Sequence, residues 1–443
     1  MHLPPIIQAC IFYAFAFVSA LYVVHLGLYL ITANMYDTWQ YKRRRLHLRR
    51  YSGPGGAAAK DPAESLPLVS VIIAAHNEEQ GIARTLDSLR ASHYPRFEVL
   101  VADDASRDVT KQLVRDYQLR HPDFNLHVYR MHRNVGKGGA LNSLLRRHVR
   151  GELVMTLDAD SIVRADTIET AVAYFADPTI AGVAANVRIM DEPTILGVLQ
   201  KFEHMVGYRS KKMYSLLNCE FVVGGVASTY RMDILRRVGF YDTDTLTEDI
   251  GLSIKIVSLG NRAHRMAYGA NVVAMTEGVS TFRQLIKQRF RWKYGSFQNI
   301  IKYRQLVFNR HSRYTRTLTV YRMPMALLSE FSLLLTPLAW AYLVYITFVQ
   351  YNPTLFIGAY LTITVYMLIT IWFDENLKTI GRLRLTGYAL VSYFVFYLMD
   401  VVQLVGIVKC LARSYALATQ KSSGGTWVSP QRLGKEVQHV YEA

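Results

Sequence analysis

Cysteine is scarce and scattered: Cys10, Cys219 and Cys410 are all that 443 residues contain, and none forms a CxxC pair. That argues against a disulfide framework and a zinc site, and for a reducing compartment around the polar part of the chain. Several motifs are missing as well. The chain has no GxxxxGK[ST] phosphate loop, no GxGxxG after a strand, no HExxH and no GxSxG elbow. Nucleotide hydrolysis and nicotinamide chemistry therefore lack their signatures. Charge is sparse, at 19% of residues against 51% hydrophobic, and acids are outnumbered so that the formal net charge is +17. Such a chain is apolar for a soluble protein and too charged for a purely intramembrane one. Its cationic excess suits nucleic acid, anionic lipid or phosphorylated substrates.

What is present begins with an uncharged stretch. Residues 6–33 carry no charge, enough to cross a hydrocarbon layer that needs ~20 apolar residues. A signal peptide fits poorly, because no basic region precedes the run and the run is too long. Lys42, Arg43, Arg44, Arg45, Arg49 and Arg50 follow it, which predicts a cytoplasmic flank and an external N-terminus. Gly53 to Pro67 reads as a linker. Three further apolar segments are expected at about 325–349, 354–373 and 386–408, the first two joined by Tyr351-Asn352-Pro353. Lys378, Arg382 and Arg384 place the loop 374–385 on the cytoplasmic side. Four spans put the C-terminus outside, and the basic tail (Lys421, Arg432, Lys435) argues mildly for the opposite.

Between the apolar segments, short apolar runs alternate with helical patterns. Strands are predicted at Val69–Ala75, Phe97–Ala102, 126–130 and Leu153–Leu157, with helices to about Ser92, at 108–120 and from Lys137 to Val149. That alternation predicts a parallel sheet covered by helices on both faces. Such sheets place ligands at strand C-termini, where His76-Asn77-Glu78, Asp103-Asp104 and Asp158-Ala159-Asp160 fall. The last offers one or two carboxylates to a divalent cation that keeps its other positions for phosphate and water. An isolated DxD is a loop or a cap more often than not, but this one ends a strand beside two other acidic strand ends. The glycine-bearing loop from His132 to Asn142, with Lys137, opens a helix and suits phosphate.

Residues 193–217 form an amphipathic segment whose cations, Lys201, Arg209, Lys211 and Lys212, suggest a membrane surface. Thr247-Glu248-Asp249 supplies paired acids, one of them a candidate general base. If residues 280–304 are helical, Gln288, Arg291 and Trp292 share one face and offer an amide, a planar cation and an aromatic together. Phe282, Leu285, Ile286 and Phe290 make an apolar stripe there, ringed by Arg283, Lys287, Arg289, Arg291 and Lys293. The expectation is an interfacial helix with its cations toward headgroups.

The ordered set resembles the membrane-embedded, processive glycosyltransferases of family 2, the cellulose, chitin, hyaluronan and poly-N-acetylglucosamine synthases. It runs from Asn77-Glu78 through Asp103-Asp104, Lys137, Asp158-Ala-Asp160 and Thr247-Glu-Asp249 to Gln288-Arg-Phe-Arg-Trp292, over about residues 68–295. TEDIGLSIKI and QRFRW are most similar to bacterial poly-N-acetylglucosamine synthases. The chain departs from some of them in showing one N-terminal span rather than two. The resemblance implies an α/β GT-A fold (a Rossmann-like nucleotide-sugar domain) plus α-helical transmembrane segments. It implies division at 1–36 (transmembrane helix), 37–67 (basic segment and linker), 68–280 (catalytic domain), 281–322 (interfacial helices), 323–410 (three transmembrane helices) and 411–443 (tail).

The same resemblance assigns roles. Asp104 would meet uracil with His76, Asn77 and Glu78 nearby. Asp158 would sit near ribose or metal, Asp160 would bind Mg2+ or Mn2+, and Lys137 and Arg291 would neutralise the diphosphate. Asp249 would be the base, while Glu248, Gln288 and Trp292 would hold the acceptor. The implied function is an inverting, processive transfer from a UDP-sugar, UDP-GlcNAc first, to a growing β-linked polysaccharide in the cell membrane, with the catalytic domain cytoplasmic. Accessory membrane or export subunits are compatible with that reading. The rivals are a transferase adding one sugar to a lipid, a glucan synthase using UDP-glucose, and a silent UDP-sugar sensor or scaffold. A nucleic-acid partner is not expected, since membrane flanks and a phosphate-rich substrate account for the net charge.

Overall fold

The computed structural model describes residues 5–51, 66–190 and 194–413. Most of the expected linker (residues 53–65), the side chains of the basic cluster from Lys42 to Arg50, and the basic tail lie outside the described residues.

An eight-stranded sheet forms the centre, in the order β3-β2-β1-β4-β7-β6-β8-β5. Its strands are β1 (Val69–Ala75), β2 (Phe97–Asp103), β3 (Leu126–Arg130), β4 (Leu153–Asp158), β5 (Ile162–Val163), β6 (Ile180–Ile189), β7 (Ser228–Arg231) and β8 (Arg265–Thr276). The expected parallel sheet is corrected to a mixed one. β1 to β4 run parallel, whereas β7 is antiparallel to both β4 and β6, and β5 is antiparallel to β8. β7 is four residues long and carries Ser228 and Thr229, too short and too polar for an apolar-run signal to mark it.

Side chains along β1 alternate between two cores. Val69, Val71, Ile73 and Ala75 face one apolar layer, and Ile72 the other. The first layer is closed by α2 (Ile82–Arg90), α3 (Thr110–Arg120) and α5 (Thr167–Tyr174), and the second by α4 (Gly136–Arg147), α7 (Met232–Val238) and α8 (Glu248–Val257). A sheet buried on both faces reads as continuous apolar runs, which is why these strands were visible in the sequence.

Long helices surround this unit. α1 (Pro5–Tyr51) continues unbroken through the stretch expected to leave the helix after residue 36. Its Tyr36 is buried and donates to the Tyr268 carbonyl, and Asp37 pairs with Lys212 at 2.6 Å. α6 (Ile195–Leu216) packs against α1 and against β6, so its cations meet protein rather than headgroups. Arg209 is buried and lies 3.5 Å from Asn34 Oδ1 and 3.3 Å from the Ile369 carbonyl. The expectation of a membrane-surface face on α6 is corrected accordingly.

α9 (Phe282–Lys302) carries the Gln288–Trp292 stretch. Three helical stretches beyond it are long and apolar enough to cross a membrane: Thr317–Val349, Thr354–Trp372 and Ser392–Leu411. The first contains α10 (Met323–Ser332) and α11 (Thr336–Val344), separated by a 3-10 turn at Leu333–Leu335. Pro337 cannot donate a backbone hydrogen bond and crowds the preceding turn, which accounts for the break. α12 (Thr354–Trp372) and α14 (Ser392–Leu411) are continuous, and α13 (Thr379–Ala389) is a separate helix between them. The last helix long and apolar enough to cross a membrane therefore begins at Ser392, not near 386.

Candidate active site

The register of the sheet lines up the acids. Ala75 lies opposite Asp103 and Ala74 opposite Asp158, so the ends of β1, β2 and β4 form one edge. A cavity of about 380 Å³ opens over it. His76, Glu78, Asp104, Lys137, Asp158, Asp160, Glu248, Asp249, Gln288, Arg291 and Trp292 all line it, though they span more than 200 positions of sequence. Asn77 is the one expected site residue outside the lining. It takes a positive φ of 57° and its Oδ1 accepts from Arg107 N at 2.9 Å, which holds the loop after β1.

Asp104 accepts from the backbone N–H groups of Val135 and Gly136 at 2.8 and 2.9 Å and so ties the start of α4 to β2. Burial pushes its carboxyl above the usual range against the pull of those two donors. His76 Nδ1 donates to the Asp104 carbonyl at 2.8 Å, which fixes the ring over the same edge.

Lys137, expected to face phosphate, lies among carboxylates. Its Nζ is 2.5 Å from Asp158 Oδ1 and 3.7 Å from Glu248 Oε1. Burial works against the ammonium, but Asp158, Glu248 and Asp249 outweigh it and hold Lys137 charged above the ordinary lysine value. Gly225 makes this placement feasible, since a Cβ there would stand 2.6 Å from Lys137 Nζ and 3.7 Å from Asp249 Oδ2. A methyl group at this position would push the Lys137 ammonium aside.

Asp249 is driven up to about 6, first by burial and then by Glu248 beside it, with Lys137 and Arg291 pulling the other way. A buried carboxyl with a pKa nearer neutrality is what a general base requires. Its helix is set by α9. Asn299 Nδ2 donates to the Thr247 carbonyl at 2.9 Å, and Gln298 Oε1 accepts from Leu246 N at 3.0 Å. Gly295 permits the contact, because a Cβ there would meet Thr247 Oγ1 at 2.4 Å and Thr247 N at 2.8 Å.

Two of the cations that the charge pattern of α9 assigned to headgroups, Arg289 and Lys293, turn inward, while Arg283 and Lys287 stay exposed. Arg289 is buried and ion-paired with Glu203 of α6, and its guanidinium carbon lies 4.1 Å from the centre of the Trp292 ring. Arg289 also donates to Gln288 Oε1 at 2.6 Å. Lys293 is buried and pairs with Glu330 of α10. These cations turn inward because the helices that follow bring acids to them.

Glu78, Asp104, Asp158, Asp160, Glu248, Asp249 and Glu277 line the cavity against the three cations Lys137, Lys211 and Arg291. An excess of acid over a diphosphate-sized space suits a divalent cation. Among the described residues, no three His, Cys, Asp or Glu side chains converge to hold a metal by themselves. The donor set thus fits a hard cation that takes one or two protein carboxylates and completes its shell from elsewhere.

Sequence reasoning missed several lining residues: Gln200, His204, Tyr208 and Lys211 of α6, Gly225, and Glu277 after β8. Glu277 pairs with Arg84 at 2.5 Å. The residues of α6 recur at helical spacing, but their polarity alone matched a solvated face.

Residues 70–239 match the model of Glycosyl transferase family 2. Over 237 residues the chain is 30% identical to a poly-β-1,6-N-acetyl-D-glucosamine synthase of Staphylococcus epidermidis, covering 53% of this chain and 56% of that one. It is 30% identical over 242 residues to the synthase of the same name from Staphylococcus aureus strain COL, covering 54% and 57%. The chain thus spans little more than half the length of these curated relatives. In three dimensions it is similar to a mannosyltransferase of Pyrobaculum calidifontis solved with GDP-Man and Mn2+. That match has a TM-score of 0.56 and 23% identity, covers 86% of this chain and 99% of the other, and shows the fold to be of the GT-A kind.

Proposed function

We propose, from the match of residues 70–239 to the model of Glycosyl transferase family 2, that the chain is an inverting UDP-sugar transferase that extends a β-linked polysaccharide at a membrane, with UDP-GlcNAc its preferred donor. The observation that carries this reading is the convergence of Asp158, Asp160, Asp249 and the Gln288–Trp292 face on one cavity, from segments far apart in sequence. Asp249 takes the proton of the acceptor hydroxyl. That oxygen attacks C1 of the donor sugar as the C1–O bond to the diphosphate breaks, and the anomeric centre inverts. Negative charge accumulates on the departing UDP. Lys137 and Arg291 offset it, and such fixed cations in a low-dielectric site lower the barrier because they need no reorganisation. Asp160, with Asp158 beside it, would hold Mg2+ or Mn2+, which supplies Lewis-acid stabilisation of the diphosphate when bound. Trp292 offers its ring to the apolar face of the acceptor sugar. His76 and Glu78 border the end of the cavity nearest Asp104, the place for the nucleotide.

The three apolar stretches at Thr317–Val349, Thr354–Trp372 and Ser392–Leu411, with the uncharged residues 6–33, support a multi-pass membrane protein whose catalytic domain is cytoplasmic. Processive growth and export of the product follow as the finer proposal. The test is UDP release by the full chain with UDP-GlcNAc, UDP-glucose and UDP-GlcA in turn, in Mg2+ or Mn2+, together with product length on a gel. UDP-GlcNAc should be used fastest and give long chains. Single-sugar products would favour the lipid-transfer alternative, faster turnover of UDP-glucose would favour a glucan synthase, and absence of UDP release from every donor would overturn the enzyme reading.

A further inference from the structure

α6 contributes a whole face to the cavity that the mechanism above does not use. Gln200, His204, Tyr208 and Lys211 follow one another at helical spacing and line one wall. Three of them are engaged by protein. Gln200 holds both polar groups of its amide against backbone, at 3.1 Å to the Leu196 carbonyl and 3.0 Å to both the Val279 carbonyl and the Val279 N–H. Lys211 donates to the Val222 carbonyl at 2.5 Å. Tyr208 stacks on Tyr268 with ring centres 6.0 Å apart.

His204 differs. Its Nδ1 lies 3.0 Å from the Val187 carbonyl and 3.4 Å from the Tyr208 hydroxyl; a carbonyl only accepts, so Nδ1 carries the proton and the hydroxyl oxygen is its second acceptor. Burial keeps the ring pKa below its ordinary value, Glu203 opposing and Arg289 assisting, so the imidazole is neutral near pH 7. Nε2 is then an acceptor on the cavity wall. The neighbouring Glu203 grips Arg289, which covers the Trp292 ring. The Glu203–Arg289 pair thus fastens α6 to α9, and His204 and Trp292 line the cavity from these two helices, whereas Asp104 and Lys137 come from the sheet edge.

We propose that His204 is a sugar-recognition residue, its Nε2 accepting a hydrogen bond from an O–H or amide N–H of the acceptor sugar that rests on Trp292. This rests on the glycosyltransferase reading above. A carbonyl-anchored ring cannot turn to offer a donor, so the position selects a ligand that brings its own hydrogen. A ligand lacking it leaves a partly buried acceptor unpaired.

The test uses the full chain in detergent, with soluble β-linked N-acetylglucosamine oligosaccharides as acceptors. UDP release is followed against acceptor concentration, and UDP binding is measured separately by calorimetry. His204→Ala should raise the acceptor KM roughly tenfold, the effect of about one hydrogen bond, while UDP affinity stays within about twofold. His204→Gln, which places a carbonyl oxygen near the position of Nε2, should recover most of the loss, and His204→Phe, of similar bulk, should not. The Gln and Phe pair decides the matter even where the alanine variant folds poorly. Equal acceptor KM in those two, or a parallel loss of UDP affinity in both, overturns the role. Lack of wild-type activity with every UDP-sugar would instead overturn the transferase reading, so the two failures are distinct.

Discussion

At the scale of single residues, Asp249 is where environment matters most. Its carboxyl is raised to about 6, so the group acts as a base above that pH and is lost as a base when pH falls through it. The value of kcat/KM should rise about tenfold per pH unit below about 6 and level off above, which steady-state rates between pH 4.5 and 8 will check. Asp249→Asn should lower turnover by a factor of roughly 10² to 10⁴ with UDP binding retained; near-normal turnover in that variant removes Asp249 from the mechanism. Trp292 and Arg291 are adjacent yet should fail differently. Trp292→Ala should leave UDP affinity nearly unchanged and give short products or donor hydrolysis, whereas Arg291→Ala should weaken the UDP complex. Full-length product at the wild-type rate from Trp292→Ala would argue against the acceptor-stacking role. Arg289 complicates Trp292, since its guanidinium covers that ring and Arg289→Ala would loosen the aromatic as well.

At the scale of elements, the site depends on how α9 is seated. Gly295 and Asn299 press it against the start of α8, and Lys293 ties it to Glu330 of α10. α14 comes close behind, since a Cβ on its Gly406 would lie 3.4 Å from Lys293 Cδ. Gly295→Ala has no free space to occupy, so α9 must shift away from Thr247. Turnover should fall severely with Asp249 itself intact, while the protein still elutes as a folded species. Lys293→Met leaves Glu330 without its buried partner and should cost about 3–5 kcal/mol, read as a lower melting temperature in detergent. Adding Glu330→Leu should recover most of that loss, because two apolar groups need no partners. No recovery in the double variant would mean that Glu330 is not the group Lys293 serves.

At the scale of the whole molecule, the catalytic unit and the apolar helices are fastened at more than one place. Arg188 of β6 forks onto Asp374 at 2.6 and 2.5 Å, and Arg164 reaches Asn376 at 3.3 Å. The turn after α12 is thus held against the sheet, and the turn at Tyr351, 88% exposed, lies at the other end of that helix. With the proposed topology, Tyr351→Cys should react with a membrane-impermeant maleimide in intact cells. Lys378→Cys should react only after the cells are opened, and the reverse pattern would invert the orientation.

Much of this was determined by the sequence alone. The ends of β1 fall where apolar patterning put them, since a strand buried on both faces writes its burial as an unbroken apolar run. The acidic strand ends were equally visible, because backbone chemistry places them at one edge of any such sheet. What only the tertiary structure decided is which charges turn inward. Arg289 and Lys293 look in sequence like cations for headgroups, and Arg209 like another at a membrane surface. Their acids, Glu203 and Glu330, and the carbonyl of Ile369 beside Arg209, come from distant segments. Nothing local records such partners. The same holds for Lys137, whose three carboxylates meet only when β4 and α8 converge, and for His204, which becomes a fixed acceptor only once Val187 supplies the carbonyl that takes its proton.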